Sequence, residues 1–279
     1  MGLTEDFMSA NLLNYLDAGK QAALRAAEVL ESWRPKFQVR EKGRADLVTE
    51  ADLASQQTIQ AYLLAAFPDH AFLGEEEGAA KGRPAPDAPP TWIVDPIDGT
   101  TNYVHDFPFY CVSIGLQIGG ELAVGIVYDP SRKEMFTAAH GHGAWLGERR
   151  LRTSTVASLG QALLATGFPP DLRGNEQTLE WWRHFSFHAQ SVRRTGSTAL
   201  NLAYIAAGRF DGYWAFDNHV WDVAGAVVLL REAGGTITDV DGSAYDPYTP
   251  DALASNGPLQ AMLLQTFQRG LPAKVELQQ

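Results

Sequence analysis

Cysteine is nearly missing from this chain of 279 residues: the single Cys111 cannot close an internal disulfide, so no cross-linked secreted framework is built here. It stands in the apolar run Phe109-Tyr110-Cys111-Val112 and reads as a reduced core residue. Positive charge is scarce as well. Lys and Arg number 22 against 33 Asp and Glu, a formal net charge of −11, which argues against nucleic acid as a partner. No window reaches the ~18 apolar residues of a membrane span. The opening Met1-Gly2-Leu3-Thr4-Glu5-Asp6 is acidic where a signal peptide is basic, and Asp6 stands where a myristoylated Gly2 wants Ser or Thr. Together these absences predict a cytoplasmic protein with neither a membrane nor a nucleic-acid partner.

Several chemical signatures are missing too. There is no Gly-Lys-Ser/Thr phosphate loop, and Leu146 stands where a dinucleotide fingerprint begun at Gly141 and Gly143 needs its third glycine. His184 and His188 have zinc-protease spacing, but Phe185 replaces the required glutamate. No Gly-x-Ser-x-Gly elbow supports a serine nucleophile. Chemistry on this chain is therefore expected to be metal-borne.

What the chain does have is a globular composition, 45% hydrophobic and 20% charged. Its length suits one domain over 1–279 made of two packed halves, roughly 1–150 and 151–279. Residues 5 to 33 read as a long amphipathic helix with Leu12, Leu13, Leu16, Leu24, Ala27 and Leu30 on its apolar face, stopped by Pro35. An irregular stretch over 36–48 follows, then a second helix from about Thr49 to Pro68 with Leu53, Ile59, Tyr62 and Leu63 on one face. Ala71-Phe72-Leu73 is a short strand, and the prolines and glycines of 78–91 form a surface loop. The strand Trp92-Ile93-Val94, a hairpin turning at Gly119-Gly120 and a return through Met135 to Ala139 make the middle third an antiparallel meander. Beyond Gly160 strands alternate with helices: strands at 161–166, 189–193, 211–215 and 235–239, helices at 176–185, 197–207 and 221–233, and a closing helix at 258–267. The fold class is α+β, a mixed α/β arrangement of stacked layers.

The richest segment is Asp95-Pro96-Ile97-Asp98-Gly99-Thr100-Thr101-Asn102. A strand ends in two carboxylates two residues apart, and Pro96 fixes one φ, so a sharp turn brings both acids and an intervening carbonyl to one point, a ligand set suited to hard divalent cations. Gly99-Thr100-Thr101 could open a helical turn whose N–H groups hold phosphate. Taken alone, the segment fits equally well an Asp98 cap and an Asp95 β-turn. Glu75-Glu76-Glu77 after a strand, and Asp222 at the head of an apolar helix, also have plain readings as a solvated turn and helix-dipole compensation. Were Glu75, Asp95, Asp98 and Asp222 to share one pocket, their mutual repulsion would call for two or three divalent cations, with Mg²⁺ the natural match for all-oxygen ligands. Thr49-x-x-Asp52 is a capping box, while Asp52 could also accept a hydrogen bond from Thr100 and orient a water; both roles could coexist.

Three blocks in order, Gly74-Glu75-Glu76, Asp95 through Asn102, and Trp221-Asp222-Val223-Ala224-Gly225 on to Gly234-Gly235, resemble the signatures of the inositol monophosphatase family of Mg²⁺-dependent, lithium-sensitive phosphatases. The resemblance runs over roughly residues 5 to 265 and implies a layered αβαβα sandwich, a homodimer and hydrolysis of a small-molecule phosphate ester, inositol monophosphate first. It further implies that Glu75, Asp95 and the Ile97 carbonyl hold one Mg²⁺, that Asp95, Asp98 and Asp222 hold a second, and that Glu75 helps a third. By the same resemblance Asp52 and Thr100 orient the attacking water, Gly99 and Thr100 cradle the phosphate, Glu76 supports the ligands and Lys42 is a loop lysine near the cations. Gly196, Thr198 and Arg193 fall on the substrate side. At one position the chain departs from the pattern: Ala215 stands where inositol phosphatases have a glutamate that binds ring hydroxyls, so substrate choice moves before chemistry does, and Asp217 could compensate only if the loop shifts. Fructose 1,6-bisphosphate, histidinol phosphate and a 3′-phosphoadenosine nucleotide are the alternative substrates, and a metal-binding regulatory protein without turnover is the alternative of another class.

Overall fold

The computed structural model describes residues 5–34, 39–43, 46–78, 82–85 and 87–271. Helix α1 (Glu5–Trp33) covers the span expected, and Leu12, Ala27 and Leu30 of its expected face are buried. Leu13 and Leu24 are exposed instead, while Ala22, Ala23 and Ala26 are buried. Small side chains let α1 lie close on its neighbours, so alanines outrank leucines on the buried stripe. Residues 39–49 correct the irregular reading: β1 (Val39–Gly43) and β2 (Asp46–Thr49) pair antiparallel. Helix α2 (Glu50–Ala66) follows directly.

Next come β3 (Ala71–Gly74), the single turn α3 (Glu75–Gly78), β4 (Thr91–Asp98), the short α4 (Thr100–Val104), β5 (Cys111–Ile118), β6 (Glu121–Asp129), β7 (Glu134–Ala139), β8 (Gly143–Leu146) and β9 (Arg149–Arg150). They make a sheet in the order β3-β4-β5-β6-β7-β8-β9, antiparallel except for the pair β3–β4. The expected meander is its centre. The second half holds β10 (Leu163–Thr166), α5 (Glu176–His188), β11 (Ser191–Arg193), α6 (Thr198–Ala206), β12 (Gly212–Ala215), α7 (Val220–Glu232), β13 (Thr236–Thr238), β14 (Ala252–Ser255) and α8 (Gln260–Arg269). Its five-stranded sheet runs β11-β10-β12-β14-β13.

Three apolar cores separate five layers. Helices α1 and α2 bury Leu30, Ile59 and Leu63 against Trp92, Val94 and Ile126 on one face of the first sheet. The other face packs Ile93, Val127 and Phe136 on α6 and α7, which in turn meet Tyr213 and Ala254 of the second sheet. Trp181 and Phe185 of α5 and Leu263 of α8 close the far side over Trp214 and Leu253. The order is α, β, α, β, α, and each sheet is covered on both faces, which is why β4 is buried along its whole length. Helix α7 lies unusually close to the first sheet: a Cβ built on Gly125 would fall 2.0 Å from the Gly225 carbonyl oxygen. That close approach holds the N-terminus of α7, and Asp222 with it, against the end of β4.

Candidate active site

Thr49 ends β2 in extended geometry and caps α2, its hydroxyl accepting from the Ala51 amide at 3.1 Å. Asp52 completes the capping box by accepting from the Thr49 amide at 2.8 Å and its hydroxyl at 2.7 Å, all on Oδ2. Its other oxygen, Oδ1, accepts from Thr100 Oγ1 at 3.3 Å. The buried face of α2 is polar at this end, with Asp52, Ser55 and Gln56 inside and Leu53 exposed. Ser55 donates to the Pro96 carbonyl at 3.3 Å, and Gln56 Oε1 accepts from the Glu76 amide at 3.0 Å. These polar residues brace the two carboxylate-bearing segments, which explains why they displace the leucine predicted for this stripe.

The pairing of β4 with β5 shifts register between Asp95 and Asp98, where Pro96 offers no N–H. The Ile97 amide turns back to Asp95 Oδ1 at 3.0 Å, and Gly99 follows in left-handed geometry with φ +99°. Only glycine fits there, since a Cβ would sit 3.1 Å from the Phe109 carbonyl and 3.2 Å from that of Gly196. The bulge and the left-handed turn together deliver Asp95, Asp98 and Thr100 to one cavity of about 380 Å³. Glu75 at the end of β3, Asp222 in the first turn of α7, and Gly196 and Thr198 at the start of α6 line the same cavity.

Asp98 is clamped by the head of α6. Its carboxylate accepts from Ser197 Oγ at 2.7 Å, the Thr198 amide at 3.1 Å and the Ala199 amide at 2.6 Å, while Ser197 Oγ also caps the helix at Leu200. Even so, burial and the neighbouring Asp222 push the Asp98 carboxyl up to about 7. Asp95 is raised well above the ordinary carboxyl range, first by burial and then by Glu75, Asp98 and Asp222. Acids crowded so closely mark a place where positive charge is wanted. Among the described residues no three of these acids close into a ready-made cation cage. The fit to a divalent cation therefore rests on the donor set, carboxylate and carbonyl oxygens without His or Cys, and on that unmet negative field. His219, stacked on Trp221 at 4.8 Å, has its pKa raised by hydrogen bonding to Asp222.

The expected residues divide plainly. Glu75, Asp95, Ile97, Asp98, Gly99, Thr100, Gly196, Thr198 and Asp222 share the cavity, and Asp52 reaches it through Thr100. Glu76 lies outside the lining and is tied by its amide to Gln56. Lys42 belongs to β1, and its side chain lies outside the described residues. Arg193 is exposed off the cavity, its guanidinium turned back to Ser191 and the Val192 carbonyl, and it is the next residue, Arg194, that lines the wall. Arg193 is the last residue of the edge strand β11, and Arg194 lies just beyond it. Sequence reading missed Ser197, whose place before an apolar helical run is an N-cap signature, and Gln56, one helical turn beyond Asp52 on the same face.

A family model described as "Inositol monophosphatase family" matches residues 11–271. A Synechocystis protein named inositol-1-monophosphatase is 42% identical over 94% of this chain and 91% of its own length. A Pseudomonas aeruginosa protein named Nus factor SuhB is also 42% identical, over 85% of this chain and 89% of its own. Among solved structures, an Anabaena inositol monophosphatase superposes with a TM-score of 0.83 at 37% identity, covering 94% of this chain and 98% of that one.

Proposed function

The chain belongs to the inositol monophosphatase family of phosphoric monoester hydrolases, and we propose that it uses Mg²⁺ to hydrolyse the monoester of a small polyol or sugar phosphate, inositol monophosphate being the first to try. The observation that carries this reading is the juxtaposition of the buried acids Asp95 and Asp98 with a hydroxyl, Thr100, whose hydrogen is already committed. Glu75, Asp95 and the Ile97 carbonyl would hold one cation, Asp95, Asp98 and Asp222 a second, and Glu75 would assist a third. Bound there, such cations supply a more acidic water, neutralise the phosphoryl oxygens and stabilise the leaving alkoxide.

The protein's own part is orientation. Thr100 Oγ1 donates between Asp52 Oδ1 at 3.3 Å and the Ile97 carbonyl at 3.0 Å, so its lone pairs face outward as acceptors for a proton of the attacking water. The amides of Gly99 and Thr100 receive the phosphate at the head of α4. Water oxygen bonds to phosphorus as the ester oxygen leaves; one water proton stays on the product phosphate, the other passes to solvent, and the alkoxide takes its proton from solvent, so no covalent enzyme intermediate is required. Gly196 and Thr198 meet the alcohol part of the ester. The single-domain organisation, a homodimer and a cytoplasmic site of action belong to the same proposal. Among the described residues no helix is long and apolar enough to cross a membrane.

The test is phosphate release from inositol 1-phosphate, fructose 1,6-bisphosphate, histidinol phosphate and 3′-phosphoadenosine 5′-phosphate with Mg²⁺. Turnover of any one supports the reading, and its rank among them names the substrate. One observation favours a second reading, a regulatory protein without turnover: the relative named Nus factor SuhB. Silence across the whole panel would favour it.

A further inference from the structure

Charge along the cavity wall is uneven. Glu75, Asp95, Asp98, Asp217 and Asp222 are all acids, and Arg194 is the cavity's one Lys or Arg among the described residues. The Asp98–Thr100 end suits cations and a phosphoryl group, and Arg194 suits neither task there. It makes no ion pair or hydrogen bond among the described residues. Instead its guanidinium lies over the Phe168 ring, 5.8 Å from the centroid, and Phe168 is itself held edge-on by Trp182 at 6.4 Å and 89°. Stacking on an aromatic face fixes the plane of a guanidinium while leaving its N–H edge open.

The backbone beside Arg194 is fixed as well. Asn102 of α4, two residues past Thr100, donates to the Thr195 carbonyl at 2.8 Å and the Phe109 carbonyl at 2.6 Å. Gly196 follows with φ +92°, so close to Asn102 that a Cβ would lie 2.9 Å from its amide nitrogen. The arginine and the phosphate nest thus hang from the same short helix. Elsewhere in the lining Ala215 presents a methyl, Tyr213 OH is taken up by Thr198 Oγ1 at 2.9 Å and Asn218 Oδ1 at 3.3 Å, and Asp217 adds a further carboxylate.

We propose that Arg194, stacked on Phe168, is a specificity-determining residue that binds a second anionic group of the substrate, so that this site favours phosphate esters bearing another phosphate or a carboxylate over uncharged polyol monophosphates. The inference rests on the phosphatase reading above and deepens it. A guanidinium with a free edge matches either anion in bidentate geometry.

The test compares kcat/KM for fructose 1,6-bisphosphate, 3-phosphoglycerate and inositol 1-phosphate at fixed Mg²⁺, in the unsubstituted protein, Arg194→Gln and Arg194→Lys. Arg194 is exposed, and circular dichroism of each variant checks the fold. In Arg194→Gln the ratio of kcat/KM for the doubly anionic ester over that for inositol 1-phosphate is expected to fall about tenfold, mostly through KM, as loss of one charged hydrogen-bonding partner predicts. Arg194→Lys is expected to recover part of it. Whichever doubly anionic ester loses more, the bisphosphate or the carboxylate, identifies the second anion. Turnover with an unchanged ratio, or an equal fall on all three esters, overturns the inference alone and makes Arg194 a general counter-charge. No turnover of any ester by the unsubstituted protein overturns the phosphatase reading, and the inference with it.

Discussion

Asp52 Oδ1 accepts a hydrogen bond from Thr100 Oγ1 at 3.3 Å, across 48 residues of sequence. The same carboxylate closes the capping box of α2 through Oδ2, so one side chain starts a helix with one oxygen and aims a hydroxyl with the other. Thr100→Val is expected to lower kcat by about two to three orders of magnitude, the usual scale for a positioned proton acceptor, while Thr100→Ser keeps most of it. Steady-state phosphate release measures both. Equal loss in the two variants would remove the hydroxyl from the account.

Ser197 joins the Asp98 carboxylate to the head of α6, donating to it at 2.7 Å while accepting from the Leu200 amide at 3.3 Å. Ser197→Ala loses an N-cap and a charge-assisted hydrogen bond together. A stability loss of about 1–2 kcal/mol in urea titration is expected, along with weaker Mg²⁺ activation because Asp98 is held less firmly. An unchanged Mg²⁺ requirement would limit Ser197 to capping.

Glu134 on β7 and Arg209, in the connection from α6 to β12, form a two-pronged ion pair with one contact at 2.6 Å. Hydrogen bonding to Arg209 holds the Glu134 carboxyl below its ordinary range. A depressed acid contributes stability above its unfolded pKa and loses it as pH falls through the folded one. Glu134→Gln is thus expected to be less stable at neutral pH by about 0.5–1 kcal/mol, the modest value reflecting partial exposure. The gap closes in acid, and denaturation midpoints at several pH values would reveal it.

Gly125→Ala would drive a methyl into the Gly225 carbonyl, 2.0 Å from the built Cβ. Backbone cannot yield as a side chain tip does, so α7 must shift off the sheet and carry Asp222 with it. A stability loss of about 1–3 kcal/mol and weaker Mg²⁺ activation are expected together. Loss of stability with Mg²⁺ dependence intact would separate the packing from the site.

Much of this was legible in the sequence because hydrophobic period and turn residues act locally. The meander around Gly119-Gly120 and the helix over 176–188 are examples. Strand β14 was not, since Ala252-Leu253-Ala254-Ser255 has neither β-branched residues nor alternation; its place between β12 and β13, buried on both faces, makes it a strand. The stripe on α2 failed in an instructive way. Hydrophobicity picked Leu53, whereas the fold buries Asp52, Ser55 and Gln56, because that face serves the site and each polar group has a partner there. Asp95, Asp98 and Thr100 were readable from one short segment. Phe168 and Arg194 were not, for they come from separate stretches that meet Ala215 only in the folded chain.

Buried acids that recruit divalent cations to hydrolyse a phosphomonoester make turnover depend on both the cations and the acids. The most direct measurement is phosphate release from the best ester of the panel, with Mg²⁺, with EDTA, and with Asp95→Asn in Mg²⁺. The account predicts turnover in the first case and its loss by at least about a hundredfold in the other two, with Mg²⁺ restoring the chelated enzyme. Full activity in EDTA, or in Asp95→Asn, would contradict it.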